Sequence, residues 1–226
     1  MFHGRKRARH ARGRQILRDR RSNYYIRAPR VRALREAARH LLPRSTIMAA
    51  RSRTALLLID FMNPLEFDGS ERLARPAVRA AERAAALKRR LARVPVIYCN
   101  DNFGHWKSDF AAVIGYCRAR GGAPARIAEL LAPTSRDYSI LKPRHSAFFG
   151  TPLEFLLDEL GVSRLVLAGL VADNCIMFTA QDAYLRKYAL RVPADCVASE
   201  RSSYCKDALA YMARVMKADV RSSRAG

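Results

Sequence analysis

The chain has 226 residues, half of them apolar, with 42 Lys and Arg against 20 Asp and Glu and a formal net charge of +22. That is enough apolar content for one sizeable core, and no apolar run approaches the roughly eighteen residues of a membrane-spanning helix, so no membrane association is expected. The charge is unevenly spread: residues 1–47 hold fifteen Lys and Arg against two acids, and the remaining 179 hold twenty-seven against eighteen. Nucleic-acid affinity from such an extension would be unspecific and salt-sensitive. No aromatic platform or base-reading helix accompanies it, so no specific nucleic-acid partner is expected.

Residues 1–47 read as a basic, disordered extension, since short apolar patches and self-repelling arginines cannot build a core. The segment lacks the apolar centre of a secretory signal. It is Arg-rich and acid-poor, like a mitochondrial transit peptide. Few serines and no clean amphipathic stripe make targeting the weaker reading. Met48 stands just before the first convincing strand. Two readings stay open there: Met48 as the natural start, or a genuine tail upstream of it. Five cysteines (Cys99, Cys117, Cys175, Cys196, Cys205) form no Cys-x-x-Cys pair. That pattern is neither a disulfide framework nor a zinc site, and it fits a reducing, cytoplasmic setting.

From residue 53 the pattern alternates. Thr54–Asp60 predicts a strand ending in an acid, and Arg72–Arg93 a helix with Pro76 in its first turn. Val94–Cys99 is a second strand, followed by a polar loop, Asn100–Ser108. Helices are expected over Asp109–Arg118 and Pro124–Leu131, then a third strand over Ser139–Lys142. Pro152–Leu160 predicts a helix closed by Gly161 in the left-handed position. Arg164–Gly169 is a fourth strand, Asn174–Tyr188 a helix and Leu190–Ala194 a fifth strand. Ser203–Lys217 closes with a helix, and Ala218–Arg221 is a candidate sixth strand. Strands alternating with helices imply right-handed crossovers and a sheet covered on both faces. The continuous apolar runs Leu56–Ile59 and Leu165–Leu170 suit strands buried on both sides. The expectation is a three-layer (αβα) Rossmann-like α/β fold with a mostly parallel sheet of about six strands.

In such sheets the site lies at the carboxyl ends of the strands. Three residues fall there by position: Asp60 after the first strand, Lys142 after the third and Cys175 after the fourth. Cys175 opens the helix Asn174–Tyr188, where backbone amides would lower a thiol pKa. The same amides could hold an oxyanion. Asp60 could serve as general base to that thiol, and Lys142 as the cation that keeps the acid charged. Singly, each has a plainer reading: a buried small hydrophobe, a capping acid, a solvated lysine. Together they form nucleophile, base and electrostatic stabiliser.

The segments TALLLIDFMN (residues 54–63), ILKPRHSAFFGTPLEFLL (140–157) and LVLAGLVADNCIMFTAQDAYLR (165–186) resemble, in order and spacing, the three signature regions of the isochorismatase-like cysteine hydrolases. The resemblance covers about residues 53–222. It implies a catalytic triad of Asp60, Lys142 and Cys175, a cis peptide at Leu170–Val171, and an oxyanion hole made by the Val171 and Cys175 amides. It also implies a small-molecule substrate and a homo-oligomer.

Isochorismatases proper cleave a vinyl ether and typically lack the cysteine. Its presence here favours hydrolysis of a C–N bond (amide, carbamoyl or ureide) through a Cys175 thioester. The alternatives are vinyl ether hydrolysis and an inactive homologue. Nicotinamidases carry Asp-x-His and further histidines after the second strand. Here Asp101 is present but Phe103 replaces the first histidine, and His105 alone cannot complete a three-ligand site. No metal and no cofactor are therefore expected. Asn102, Phe103 and Trp106 are candidate walls of the substrate site, as are Phe61 and Phe148, with core packing the commoner fate of a phenylalanine. Arg144, or His145 beside it, could bind a substrate carboxylate. Ser146, Asp195 and Ser199 match polar positions common in the family, with no role that follows from the residues.

Overall fold

The structure, a computed structural model, describes residues 53–225; the basic extension expected over 1–47 lies outside them. Six parallel strands form one sheet in the order β3-β2-β1-β4-β5, with β6 also paired to β4. They are β1 (Thr54–Ile59), β2 (Val96–Asp101), β3 (Tyr138–Lys142), β4 (Arg164–Leu170), β5 (Ala189–Arg191) and β6 (Val197–Ala198). Between them run α1 (Ser70–Arg90), α2 (Phe110–Arg120), α3 (Gly122–Leu130), α4 (Leu153–Glu159), α5 (Met177–Leu185) and α6 (Ser202–Met216).

The side-chain period of a strand divides the apolar runs between two cores. Ala55, Leu57, Ile59, Leu165 and Leu167 point to one face, where α4, α5 and α6 cover them through Leu153, Leu157, Ala180, Ala183 and Met212. Leu56, Leu58, Val166 and Ala168 point to the other, against Leu73 and the alanines of α1, Cys117 of α2 and Ile127 of α3. A strand buried on both faces must be apolar at every position, which explains the unbroken runs of β1 and β4. On α1 the buried residues Leu73, Ala77, Ala80, Ala81, Ala84 and Ala85 recur at helical spacing. Their small side chains let the helix lie close on the sheet.

Several boundaries differ from the sequence expectation. Helix α1 starts at Ser70, because Gly69 takes a left-handed conformation (φ 87°) and turns the chain early. Pro76 therefore stands in the second turn, where it forgoes one backbone hydrogen bond. The expected sixth strand at Ala218–Arg221 does not form: Asp219 makes only an isolated bridge with Arg191. β5 pairs only with Arg164–Val166 of β4, so the carboxyl half of β4 is free to pair with the two-residue β6 at Gly169 and Leu170. The helix expected from Asn174 begins instead as a wide π-type turn, Ala172–Ile176, and continues as α5.

Gly169 is required by a close approach. Its φ is +148°, and a Cβ there would lie 2.0 Å from the Ile59 carbonyl oxygen. The absence of a side chain lets the ends of β1 and β4 close together beneath the residues that follow them.

Candidate active site

Asp60 leaves β1 with a left-handed backbone (φ 52°). Its own amide still donates to the Cys99 carbonyl at 3.0 Å. One carboxylate oxygen, Oδ1, accepts from the Asp101 amide at 2.7 Å. The other, Oδ2, lies 2.8 Å from Lys142 Nζ. Next to it, the Asn100 side chain accepts from the Met62 amide at 3.1 Å and donates to the Met62 carbonyl at 2.7 Å. That clamp holds the chain leaving β1 and so fixes where the Asp60 carboxylate points.

Lys142 ends β3 and is 0 % exposed, beside an Asp60 that is 4 % exposed. An ammonium so deep must be paired and hydrogen-bonded. It donates to the Arg144 carbonyl at 3.1 Å and to Cys175 Sγ at 3.7 Å, and the Asp101 carboxylate lies 3.6 Å away.

Cys175 is half-buried in the turn after β4. The Leu170–Val171 peptide before it is cis. The Val171 carbonyl is tied into the turn by the amides of Asn174 (3.1 Å) and Ile176 (3.2 Å). Besides Lys142, the thiol has the Asp60 carboxylate as a hydrogen-bond partner. His145 Nδ1 lies 3.9 Å from the sulfur.

Burial raises the Asp60 pKa above the ordinary carboxylate range, against the pull of the Lys142 ammonium and its hydrogen bonds. Burial alone would lower the Lys142 pKa, but the Asp60 carboxylate and Cys175 outweigh it, so the net shift is upward. The Cys175 thiol is pushed well up, by burial first and by the Asp60 carboxylate second. This reverses the sequence expectation of a thiol acidified by a helix N-terminus. The cysteine sits in a π-type turn in contact with an anion. The Asp60–Lys142 pair is already neutral, and a thiolate would add an uncompensated buried charge. The resting site thus holds a thiol beside a carboxylate and an ammonium.

The structure brings Asp60, Lys142 and Cys175 together from three separate strand ends. It places the other singled-out residues less uniformly. Phe61 and Phe148 are packed in the two cores, and Phe148 also tilts against Tyr188 and lies under Arg186. Asn102 is buried and builds the loop, accepting from the Gly104 amide at 2.9 Å. Phe103 is exposed, with φ 50°; Trp106 is 78 % exposed, and Arg144 is exposed. Ser146 donates to Asp182 at 2.5 Å, and Ser199 to Asp173 at 2.6 Å. Asp195 accepts from Ser222 and Ser223, which dock the C-terminal segment. Sequence reasoning missed Asn100, which it placed in the polar loop, whereas β2 runs on to Asp101. It also missed the nearness of His145 to the sulfur, for which no local signal exists. Among the described residues, no three His, Cys, Asp or Glu side chains converge where a metal ion could sit.

The isochorismatase domain model matches residues 54–224. The chain belongs to the isochorismatase family. Within that family it is 35 % identical to the isochorismatase family protein YaaI of Bacillus subtilis over 173 residues, covering 76 % of this chain and 94 % of the relative. It is 30 % identical to the maleamate amidohydrolase of Pseudomonas putida over 158 residues, covering 66 % and 74 %. Among solved structures it is similar to N-carbamoylsarcosine amidase from Thermoplasma acidophilum, with a TM-score of 0.54, 28 % identity and coverage of 76 % and 98 %. The α/β sheet presents its strand ends to one rim, and that rim carries the ionic centre described above. No helix among the described residues is long and apolar enough to cross a membrane.

Proposed function

We propose that this chain is a hydrolase of small-molecule C–N bonds (amide, carbamoyl or ureide) that works through a Cys175 thioester. The observation that carries the reading is one buried ammonium, Lys142, shared at 2.8 Å by a carboxylate and at 3.7 Å by a thiol. The names of two relatives, an amidohydrolase and an amidase, support the reaction class.

In this reading Cys175 Sγ attacks the substrate carbonyl as its proton passes to Asp60. The carbonyl oxygen becomes an oxyanion, held by the Val171 and Cys175 amides. Asp60 returns the proton to the leaving nitrogen, the C–N bond breaks and the amine departs. Water then attacks the thioester, the C–S bond breaks and the acid is released. Lys142 fixes the carboxylate and offsets the charge that develops on sulfur. Arg144, exposed beside the site, is suited to a substrate carboxylate.

The test is a panel of small amides, carbamoyl compounds and isochorismate, run with wild type and Cys175→Ala. Ammonia or amine release with at least one C–N substrate is expected, together with an acyl adduct on Cys175 by mass spectrometry. In Cys175→Ala both should vanish. Turnover of a C–N substrate that survives the substitution would overturn the covalent mechanism, and isochorismate cleavage that survives it would point to ether hydrolysis.

A further inference from the structure

Asp101 closes β2 and reaches the site in three ways. Its backbone amide donates to Asp60 Oδ1 at 2.7 Å. Its own Oδ1 accepts from the Phe103 amide at 2.6 Å and so shapes the loop that follows. Its Oδ2 lies 3.6 Å from Lys142 Nζ. That is too long for a hydrogen bond, and the three ammonium protons already go to Asp60, the Arg144 carbonyl and Cys175. Among the described residues, no donor is hydrogen-bonded to this oxygen. The Asp101 side chain is 32 % exposed where that of Lys142 is fully enclosed. An acceptor without a donor thus stands at the boundary between the buried ion pair and solvent.

The turn alone does not call for a carboxylate. An asparagine would accept from the Phe103 amide in the same way, without the charge. That charge works against the nucleophile: burial and Asp60 raise the Cys175 thiol most, and Asp101 adds to the rise. A second anion beside a pair that is already neutral therefore points to a partner that brings N–H groups when it binds. Reach identifies the donor. Oδ2 is linked to the sulfur through one atom, Lys142 Nζ, by contacts of 3.6 and 3.7 Å. A carbon poised for attack stands about 3–3.5 Å from sulfur and carries its substituents one covalent bond away. A hydrogen bond from such a substituent covers about 2.9 Å more. An N–H borne directly by the attacked carbonyl spans the separation.

Building on the thioester reading, we infer that Asp101 is a substrate-binding residue whose Oδ2 accepts from a nitrogen that stays on the attacked carbonyl, which makes the substrate a carbamoyl or ureide compound rather than a simple amide. Such a carbonyl carries two nitrogens. One leaves: Sγ bonds to the carbon as its proton passes to Asp60, the C–N bond breaks, and Asp60 returns the proton to the departing amine. The other stays in an S-carbamoyl group, with its N–H on Asp101. Water then displaces the sulfur, which regains its proton. The carbamic acid released breaks down to carbon dioxide and ammonia or an amine. Water is the only co-reactant. A simple amide has only the nitrogen that leaves.

The test uses the full chain and two p-nitrophenyl esters that differ in one group next to the carbonyl: the N-methylcarbamate has N–H where the propionate has CH2. Nitrophenolate leaves from both, and its burst reports acylation of Cys175, confirmed by intact mass and by subtraction of Cys175→Ala. The quantity read is the carbamate-to-propionate ratio of burst rate constants, in which any general loss of activity cancels. Asp101→Asn keeps the bond to Phe103 through Oδ1 and turns Nδ2, a donor, toward the substrate. It should lower the ratio at least about tenfold, the loss expected when a hydrogen bond to a charged group goes. Asp101→Ser, whose hydroxyl also serves the Phe103 amide, gives the same reading if the first variant does not fold. An unaltered ratio, whether both rates are kept or both fall alike, would overturn the role of Asp101 and leave the thioester reading standing. So would a wild type that the propionate acylates and the carbamate does not. A wild type with no Cys175-dependent burst from either ester would remove the nucleophile, and both readings would fall.

Discussion

Two lysine–aspartate pairs stand at opposite ends of β3. Before its first residue, Asp137 binds Lys88 of α1 at 2.6 Å. Its last residue, Lys142, binds Asp60 at 2.8 Å. Both pairs are largely enclosed, and by distance alone they are the same interaction. Their remaining partners separate them. Lys88 also donates to the Tyr98 hydroxyl at 2.9 Å and lies near the Ala132 carbonyl. The Tyr98 hydroxyl donates to the Leu131 carbonyl, and Asp137 accepts from the Thr134 amide and hydroxyl. Every direction ends on oxygen, so the network is satisfied and inert. Lys142 spends one donor on sulfur, a weak acceptor, and that sulfur also meets the carboxylate. A buried ion pair is thus no mark of a site; a nucleophile placed among its hydrogen-bond partners is.

The sharpest way to break this contrast is at the backbone beneath the reactive end. Gly169→Ala would force a Cβ to 2.0 Å from the Ile59 carbonyl oxygen. The expected result is no soluble folded protein, or a loss above about 4 kcal/mol in urea unfolding, a size reserved for such local conflicts. A variant melting within a few degrees of wild type would show that the strand ends are not held as closely as described.

Next come the lysines themselves. Lys142→Met leaves a buried carboxylate without its cation, which should cost about 3–5 kcal/mol and lower turnover of any responsive substrate by at least about a thousandfold, an effect larger than that of one acid–base group at its usual weakest. Lys88→Met should destabilise by about 1–3 kcal/mol, as for a broken buried hydrogen-bond network, with kcat within about twofold of wild type. Paired unfolding curves and rates check both. Equal loss of turnover in the two variants would erase the distinction between the ends.

The smallest effect is a displacement on the pH axis. Asp60 accepts a proton only when ionised, and burial raises its pKa above the ordinary 3.8. The acid limb of kcat/KM should therefore sit above that value, with activity lost as pH falls through it. Stability has the opposite sign at this group. A carboxyl that holds its proton more tightly when folded favours the native state as pH falls. Low pH should thus abolish activity while protonation of Asp60 itself adds to the stability of the folded state. An acid limb at or below 3.8 would contradict the burial described.

Much of this architecture was legible in the chain. β1 and β4 announce themselves as unbroken apolar runs because both faces are covered, and Gly161 closes α4 in the left-handed conformation (φ 67°) that its position suggested. Asp60, Lys142 and Cys175 could be placed at strand ends by counting. What was not legible depends on contacts between distant segments. β6 is two residues long and pairs with the carboxyl end of β4, beyond the residues that β5 covers. The thiol's environment is set by a carboxylate 115 residues away in sequence, which overrides the local amides. The course of residues 143–151, and with it the place of His145, is decided by Thr179 and Asp182 on α5.

The Asp60–Lys142 contact joins β1 to β3, strands that are not neighbours, across the carboxyl end of β2. The Asp101 peptide, opposite Lys142 in the ladder, is the bridge between them. Slipping β2 by a single residue would turn that amide away and invert every side chain it carries. Chemistry at the rim then doubles as a gauge of assembly: a chain that turns over has laid three strands in correct alignment, and a misaligned one, however compact, is silent.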